Sequence, residues 1–484
     1  MTELPSYLKF GTDGWRATIG GDYTFSNLRW VVQGIATYVR HNWSYEEGIV
    51  VGYDRRFGSE RFAIAACEVL AGNGVTAHLV QEPTTTPAIA YAVPKLAAAG
   101  AIIITASHNP PSDNGLKIRD FTGAAVKPED LAEIENAIAE QKGNVQRKAF
   151  ALAKEEGLVR MIDARTEYIA ALRDFVDVEN IAKQGYTVVV DAMYGVGAGY
   201  FSEVFQGTDQ QLVEIRQEHN PAFPGLSRPE PIPPYTDVLG EAVLSHGAAV
   251  GIVNDGDADR LGVVDEKGMF VDQLRVMSLL AYYMLEHRGK GPIVRTVTTS
   301  SMLDRLGELY KVPVHETGVG MKYVAPKLVE TGAVMGGEES GGYVIAEHMP
   351  ERDGVMSGLL ILDLMAREGK LPNALVTALF NKLGKESHYH RIDMEFLAQD
   401  RGLILQQVEK FRPSMLAGVS VKDISTFDGH KIRLDDGSWL LIRFSGTESL
   451  LRIYGEATSN EMLMSLLAEG QKITEVKTKD VKGV

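Results

Sequence analysis

The chain has 484 residues, with 49 lysines and arginines against 64 aspartates and glutamates, which gives a formal net charge of −15. This acidic balance argues against a nucleic-acid partner, because phosphate backbones are bound by basic surfaces. Hydrophobic residues make up 45% of the sequence and charged residues 23%, as in an ordinary globular protein, and the length predicts about three domains.

We find no targeting or membrane signal in the sequence. The first residues lack a basic start followed by an apolar run, and no window approaches the ~20 apolar residues that span a bilayer. We therefore expect a cytoplasmic protein with no membrane partner. The single cysteine, Cys67, excludes an intrachain disulfide and a multi-cysteine zinc site, and its apolar helical surroundings predict a buried core residue.

Short β-branched runs alternate with longer helical patterns up to residue 350, which is typical of βα units around a mostly parallel sheet. The runs are almost continuously apolar, as expected for strands that are covered on both faces. Strands are predicted at residues 48–52, 101–105, 187–191, 248–253 and 292–295, and helices at residues 59–71, 128–141 and 276–286. The proline-rich segment Gln217–Pro234 is predicted to be a long surface loop.

Beyond residue 385 the pattern changes to half-exposed strands with alternating side chains, predicted at residues 388–392, 431–434 and 439–443. Before residue 350 a strand followed by an unusual loop recurs about three times at irregular spacing, which indicates related domains and not a solenoid. We therefore predict an α/β protein of three related domains with mostly parallel sheets, plus a smaller C-terminal α+β domain. The predicted domains are residues 1–150, 151–265, 266–385 and 386–484.

The first unusual loop contains Ser107, which follows an apolar run and so lies at the C-terminal end of a predicted buried strand, where open α/β sheets bind ligands. Its segment, Thr105–Lys117, is also rich in turn-forming residues, so an ordinary turn is the alternative. A Ser–His hydrolase pair is not favoured, because no G-x-S-x-G elbow surrounds Ser107. The neighbouring Ser107 and His108 side chains would also point to opposite sides of an extended backbone.

The second loop holds three carboxylates, Asp255, Asp257 and Asp259, directly after a predicted strand. On extended backbone this spacing puts all three on one side, where a cation would relieve their repulsion. Oxygen ligands of this kind favour Mg²⁺ or Ca²⁺. An EF-hand competes because Glu266 stands at the twelfth position of the loop, but Arg260 occupies the sixth, where glycine is required. A solvated acidic turn is the remaining alternative.

The third and fourth loops carry groups suited to a sugar and to a phosphate. Glu338 and Ser340, flanked by glycines, could bind neighbouring sugar hydroxyls, and a plain hairpin loop is the alternative. The segment Arg443–Ser449 and the following Arg452 combine hydroxyls and backbone N–H groups with arginine side chains that match phosphate bidentately. Its alternative is a β-hairpin with exposed charge.

Together with Gly11-Thr-Asp-Gly-Trp-Arg16, these loops resemble the motifs of the α-D-phosphohexomutase superfamily, which includes phosphoglucomutases and phosphomannomutases. The motifs T-x-S-H-N-P, D-G-D-x-D-R, G-E-x-S-G and R-x-S-G-T-E occur in the family order, and the resemblance covers essentially the whole chain. It implies four domains around a central active-site cleft. It also implies Mg²⁺-dependent interconversion of hexose 1-phosphates and hexose 6-phosphates, with glucose 1,6-bisphosphate as activator and intermediate.

The resemblance implies a role for each matching residue. Ser107 would carry the phosphoryl group and complete a Mg²⁺ shell with the three aspartates. Arg16, His108 and Lys117 would line the phosphoserine, with Lys117 a candidate for proton transfer. The implied substrate contacts are Arg260, Lys322, Glu338 and Ser340, and the implied distal-phosphate contacts are Arg443, Ser445, Gly446, Thr447 and Arg452.

One departure from the family pattern bears on the substrate. The sugar loop continues as Gly341-Gly342, where many phosphomannomutases and phosphoglucosamine mutases have Gly-His, and this leans toward glucose, with mannose possible. A hexose 1,6-bisphosphate synthase and an inactive sugar-phosphate sensor are the alternatives to a mutase. The expected partners are small hexose phosphates, and the sequence assigns no oligomeric state.

Overall fold

The computed structural model describes residues 4–11, 13–444 and 450–474. Its strands form four sheets that follow one another along the chain, and we name domains I to IV after them. Domains I to III combine helices with mostly parallel strands, whereas the sheet of domain IV is antiparallel. The predicted fold class is therefore confirmed, while the exact domain boundaries stay a prediction.

Domain I is built on a six-stranded sheet of order β1-β5-β4-β2-β3-β6, in which β2, β3, β4 and β6 are parallel. Short apolar strands here alternate with helices that cover both faces of the sheet. The strands are Trp15–Thr18, Ile49–Tyr53, Ala77–Val80, Gly100–Ile104, Asp113–Arg119 and Val159–Ile162 (β1–β6), and the helices are Phe25–Asn42, Ser59–Gly72, Thr86–Lys95, Pro128–Gln141 and Phe150–Glu155 (α1–α5). Cys67 is buried in this domain, as predicted.

Domain II has a five-stranded sheet of order β11-β10-β9-β7-β8, with β8, β7 and β9 parallel. The proline-rich segment Gln217–Pro234 is a loop between β8 and α9, as predicted. The elements in chain order are Arg165–Phe175 and Val178–Lys183 (α6, α7), Thr187–Asp191 (β7), Tyr200–Val204 (α8), Gln211–Ile215 (β8), Asp237–Ser245 (α9), and Val250–Asn254, Leu261–Val264 and Phe270–Val271 (β9–β11).

Domain III has a four-stranded sheet of order β13-β12-β14-β15. Its first helix begins at Gln273, three residues before the predicted start, because the Asp272 side chain accepts a hydrogen bond from the Arg275 N–H and caps it. The elements are Gln273–Tyr283 (α10), which continues into a π-helical turn at Met284–Arg288, Ile293–Thr296 (β12), Met302–Tyr310 (α11), Val314–Thr317 (β13), Met321–Thr331 (α12), Met335–Gly337 and Tyr343–Ile345 (β14, β15), and Gly354–Glu368 and Pro372–Leu383 (α13, α14).

Domain IV is a six-stranded antiparallel sheet of order β16-β21-β20-β19-β18-β17 with two helices. The three strands that the alternating pattern predicts are present as β16, β19 and β20. The elements are His388–Glu395 (β16), Arg401–Lys410 (α15), Met415–Leu416, Val419–Ser425, His430–Leu434, Trp439–Phe444 and Leu450–Ala457 (β17–β21), and Asn460–Thr474 (α16).

Domains I to III share one topological feature that positions the unusual loops. In each sheet one of the parallel strands is followed by a loop and an antiparallel neighbour: β4 by β5, β9 by β10, and β14 by β15. The Ser107 loop, the three-aspartate loop and the Glu338 loop are these three connections. Because all three begin at the C-terminal end of a parallel strand, each lies at the edge of its sheet where α/β proteins bind ligands.

The apolar cores hold these edges in place. One large cluster joins domains II and III across α13, whose residues 354–366 are all buried, while domains I and IV have cores of their own. Within the described ranges, no helix combines the length and the apolar character that crossing a membrane requires.

Candidate active site

The loops that the sequence singles out in domains I, II and III meet at one buried site. The Ser107 hydroxyl donates a hydrogen bond to Asp255 Oδ2 at 2.8 Å, which joins the first two loops. Arg352, on the segment before α13, donates to Asp259 at 2.6 Å and to Glu338 at 3.2 Å, which joins the second loop to the third. The three sheet edges therefore face a common centre.

Ser107 lies in a strained turn and is only 1% exposed. Its φ is +51°, in the left-handed region, where a residue with a Cβ costs about 1–2 kcal/mol. Its N–H donates to Thr105 Oγ1 at 2.9 Å. The expectation that Ser107 and His108 point to opposite sides is wrong, because the backbone here is not extended: Ser107 Oγ lies 3.2 Å from His108 Nδ1. Burial, together with Arg260 and Arg16, holds the pKa of His108 well below its usual range, so this imidazole is neutral.

The three aspartates converge as predicted, but through a tight turn and not through extended backbone. Ala258 has a φ of +59°, and the ligand atoms of Asp255, Asp257 and Asp259 all lie within 4.8 Å of one another. The loop joins two strands, so the EF-hand interpretation is wrong. The carboxylates are at most 1% exposed, so the solvated acidic turn is wrong as well.

The pKa values of two carboxyl groups in this cluster are shifted in opposite directions. Burial and the repulsion of Asp257 and Asp259 raise the pKa of Asp255 well above its usual range. Burial would also raise the pKa of Asp257, but the Lys117 ammonium outweighs it and lowers that pKa. A cation between the three carboxylates would remove the repulsion that Asp255 experiences.

The cluster fits a hard divalent cation such as Mg²⁺. Among the described residues, the buried atoms Asp257 Oδ1 and Asp259 Oδ1 have no hydrogen-bond partner, although a buried carboxylate oxygen normally has one. A donor set made only of carboxylate oxygens is the type that Mg²⁺ prefers. The residues therefore have both the chemistry and the free oxygen atoms that the metal needs.

Lys117 is fully buried on β5 of domain I, and its ammonium group pairs with two aspartates of the metal loop in domain II and with Asp13 of domain I. Its Nζ lies 2.7 Å from Asp257 Oδ2, 2.7 Å from Asp259 Oδ2 and 2.9 Å from Asp13 Oδ2. Burial would lower the pKa of Lys117, but the three carboxylates outweigh it and raise that pKa. In this arrangement Lys117 is therefore held in its protonated form.

Four charged residues whose side chains are at most 6% exposed complete the network, and the sequence motifs give none of them a role. Arg352 contacts Asp13 as well as Asp259 and Glu338, and Arg119 pairs with Asp13 at 3.0 Å and with Glu351. Asp13 stands inside the quoted motif Gly11–Arg16, which is a signal that could have identified it. Arg119, Glu351 and Arg352 follow no spacing rule, so only the fold brings them here.

The position of Arg352 explains why residue 342 is a glycine. A Cβ on Gly342 would lie 2.2 Å from Arg352 Cδ, so the arginine fills the space that a side chain there would need. Burial raises the pKa of Glu338 although Arg352 opposes this change, so the pair shares a poorly hydrated position. The departure from the family's Gly-His pattern is therefore linked to this buried arginine.

Gly342→Ala is expected to displace Arg352 from Asp259 and Glu338. We expect a loss of about 1–3 kcal/mol in the free energy of unfolding, as for overpacked cores, and a fall in kcat/KM of about tenfold. Thermal unfolding and steady-state kinetics check both values. Gly402→Ala is the matched control, because no atom lies within 4 Å of the added Cβ. Wild-type stability and activity in Gly342→Ala would contradict this account of Arg352.

The remaining candidate residues lie around this centre. Arg16 donates to Asn109 at 2.8 Å, Arg260 lies 3.5 Å from Glu230, and Ser340 is half-buried beside Glu338. Lys322 is the second residue of α12, with its Nζ 5.4 Å from the centroid of the Tyr323 ring. No direct contact joins Lys322 to the aspartates or to Ser107 among the contacts of the described residues.

The candidate phosphate site in domain IV places two arginines side by side. Arg443 on β20 is in register with Arg452 on β21, and Arg443 Nε donates to Asp428 at 2.9 Å. Like charges directly opposite each other destabilise a sheet, and a bound anion would relieve this. Ser445, Gly446 and Thr447 lie outside the described residues.

Comparison with known proteins gives matches over nearly the whole chain. Models of the phosphoglucomutase/phosphomannomutase family match its α/β/α domains I, II and III at residues 7–144, 166–268 and 272–383, and its C-terminal domain at residues 401–471. The phosphoglucomutase/phosphomannomutase of Thermococcus kodakarensis is 32% identical over 468 residues, which are 96% of this chain and 98% of the relative.

Two further relatives agree with this match. The phosphoglucosamine/phosphogalactosamine mutase of Sulfurisphaera tokodaii is 31% identical, covering 97% of this chain and 99% of its own. A crystal structure from Thermus thermophilus, assigned as a phosphomannomutase, has a TM-score of 0.84 at 32% identity, covering 97% of this chain and 99% of the other. Because all four domains match in order and the relatives are covered over nearly their whole length, this chain is an enzyme of the phosphoglucomutase/phosphomannomutase family, the α-D-phosphohexomutases.

Proposed function

We propose that this enzyme interconverts hexose 1-phosphate and hexose 6-phosphate, preferring glucose and accepting mannose, through phosphorylated Ser107 and a hexose 1,6-bisphosphate. One observation carries the proposal: the buried Ser107 hydroxyl contacts one carboxylate of an oxygen-only cation site. A serine hydroxyl is a weak nucleophile unless a base or a cation activates it, and this contact places Ser107 beside the carboxylates that would hold such a cation.

In this proposal Asp255, Asp257 and Asp259 hold Mg²⁺ together with the phosphate of Ser107. When bound, the metal neutralises charge on the phosphoryl oxygens, which is most of what phosphoryl transfer requires besides alignment. Lys117, which its three carboxylate partners keep protonated, is the candidate for proton transfer: as the phosphoryl group moves, the sugar hydroxyl that accepts it loses a proton and the Ser107 oxygen that releases it gains one. His108 and Arg16 line the same phosphate.

The far end of the substrate would lie against domain IV. Arg443 and Arg452, with Ser445, Gly446 and Thr447, would bind the phosphate that does not react, while Arg260 and Lys322 contact the substrate between the two ends. The paired arginines across β20 and β21 support this assignment. Binding energy from a non-reacting phosphate aligns the reacting one, which raises turnover. The two arginines of domain IV would also provide local positive charge for an anionic substrate on a chain with a net charge of −15.

The mutase reaction requires the bisphosphate to turn around, so that each phosphate faces Ser107 in turn. Groups that contact only the O3 and O4 hydroxyls of the sugar tolerate this flip, since exchanging the ends of the ring exchanges those two oxygens. Glu338 and Ser340, one carboxylate and one hydroxyl, are suited to this role. Arg352 fixes the Glu338 carboxylate from behind.

Glu338→Ala is expected to lower kcat/KM for glucose 1-phosphate and mannose 1-phosphate by a similar factor. The two sugars differ only at C2, which these residues do not contact, so wild type should prefer glucose only several-fold, the equivalent of about 1 kcal/mol. Kinetics with both sugars, and with glucosamine 1-phosphate as a third C2 variant, measure this. Glu347→Ala, in a surface ion pair with Arg288, is the control. Loss of activity on one sugar alone would show that the loop reads C2.

A further inference from the structure

Arg56 is a buried arginine of domain I that binds the backbone of the Ser107 loop. Its Nη1 donates to the carbonyl oxygens of Pro110 at 2.7 Å and Asp113 at 3.1 Å. Its Nη2 donates to those of Ser107 and Asn109, both at 2.6 Å. One guanidinium thus binds four carbonyls of the segment 107–113, and among the contacts of the described residues none joins it to the aspartates of domain II or to the sugar loop.

The arginine is itself fixed on two sides. Its Nε lies 3.4 Å from Asp54 Oδ2, and Asp54 Oδ1 accepts hydrogen bonds from the Arg56 N–H and from Ser59 at the start of α2. The guanidinium also lies 5.2 Å from the centroid of the Phe223 ring, which belongs to the proline-rich loop of domain II. The orientation of the Arg56 guanidinium is therefore fixed, since groups from domain I and domain II contact it.

The Ser107 carbonyl is held between Arg56 and the metal loop. A Cβ on Gly256 would lie 2.5 Å from Ser107 O, so only a glycine allows the backbone of the metal loop to come this close to the backbone of the Ser107 loop. Ser107 keeps a left-handed conformation, which a serine adopts only when its surroundings compensate for the strain. The contact from Arg56 to Ser107 O is the hydrogen bond that fixes the peptide plane on the C-terminal side of that residue.

We propose that Arg56 is the positioning residue of the nucleophile: its four carbonyl contacts impose the left-handed turn that aims the Ser107 hydroxyl at the metal loop. This inference deepens the proposed function and rests on it. Arg56 acts through Ser107 and does not contact substrate, so replacing it should slow transfer to the serine and leave substrate binding almost unchanged. A small misplacement of a reacting group can cost about 100-fold in rate.

The test is a rapid-quench measurement of the rate of Ser107 phosphorylation, in dephosphorylated enzyme mixed with glucose 1,6-bisphosphate. The steady-state KM for glucose 1-phosphate is measured with the same variants. For Arg56→Met we expect phosphorylation to be about 100-fold slower with KM within about threefold of wild type. Arg56→Lys retains the charge but lacks the planar fork, so an intermediate loss of about tenfold is expected.

Arg29→Met is the matched control, because Arg29 also pairs with a carboxylate, Glu68, and lies over a ring, Phe25, but its contacts with these two residues do not involve the Ser107 loop. It should be phosphorylated within about twofold of the wild-type rate. Folded Arg56 variants with the wild-type phosphorylation rate, or with losses confined to KM, would overturn the inference. Failure of both Arg56 variants to fold would also overturn it, because it would show that Arg56 is needed for the stability of domain I as a whole. If wild type itself is not phosphorylated, the proposed function fails instead.

Discussion

Ser107→Ala is expected to remove the phosphorylated form of the enzyme and to lower turnover by about 10⁴-fold or more, since the covalent route has no other nucleophile. Intact mass of the wild-type protein should show a fraction heavier by one phosphoryl group, and the variant should not. Removing the buried hydroxyl introduces no clash, so we expect the fold to stay intact, which thermal unfolding checks.

Ser112→Ala is the matched control for this experiment, because Ser112 lies on the same loop but is exposed, and its hydroxyl donates to the neighbouring Asp113 at 3.1 Å. It should keep both the phosphorylated fraction and the activity of wild type. Normal turnover by Ser107→Ala, or a phosphorylated fraction that survives the substitution, would contradict the proposed mechanism.

Asp257→Asn is expected to have the second largest effect, a fall in turnover of about 10²–10³-fold together with a higher Mg²⁺ requirement. The substitution removes one of the three carboxylates proposed to hold Mg²⁺, which is also one of the carboxylates that pair with Lys117. Binding of Mg²⁺ to wild type should raise the melting temperature, because a ligand that binds only the folded state stabilises it. This shift, measured without substrate, should shrink in the variant.

The exposed Asp237 of the same domain supplies the control substitution, Asp237→Asn, which should leave activity and the Mg²⁺-dependent shift unchanged. Excess chelator should abolish wild-type activity, and added Mg²⁺ should restore it. Full activity in chelator, or an unchanged Mg²⁺ shift in Asp257→Asn, would mean that the three carboxylates serve another purpose.

The sequence predicts those parts of the site that lie on continuous loops. Ser107 and the three aspartates each follow a predicted apolar strand, so their position at a sheet edge follows from local pattern alone, whereas the sequence predicts no strand before Glu338 and the structure places β14 there. Asp13, Arg119 and Arg352 lie on separate segments of domains I and III and carry no shared spacing. Their proximity is a property of how the domains pack, and no local pattern encodes it.

Backbone conformation explains the errors of the sequence-based account. The prediction for Ser107 and His108 assumes extended backbone, and the positive φ at Ser107 turns both side chains to one side. Sequence patterns do not reveal Arg56, because its partners are carbonyl groups, which every residue has. Because Arg56 binds main-chain atoms, the side chains of its partners do not have to be of any particular type, and the sequence shows no pattern for this contact.

The central claim is tested most directly by following glucose 1-phosphate with the purified enzyme and Mg²⁺ by phosphorus NMR, with and without a trace of glucose 1,6-bisphosphate. We predict accumulation of glucose 6-phosphate, faster in the presence of the bisphosphate, with the amount of bisphosphate unchanged at the end. A bisphosphate synthase would instead form glucose 1,6-bisphosphate only in proportion to another bisphosphate that it consumes. Absence of glucose 6-phosphate under all these conditions, or its formation only as the bisphosphate is used up, would contradict the account.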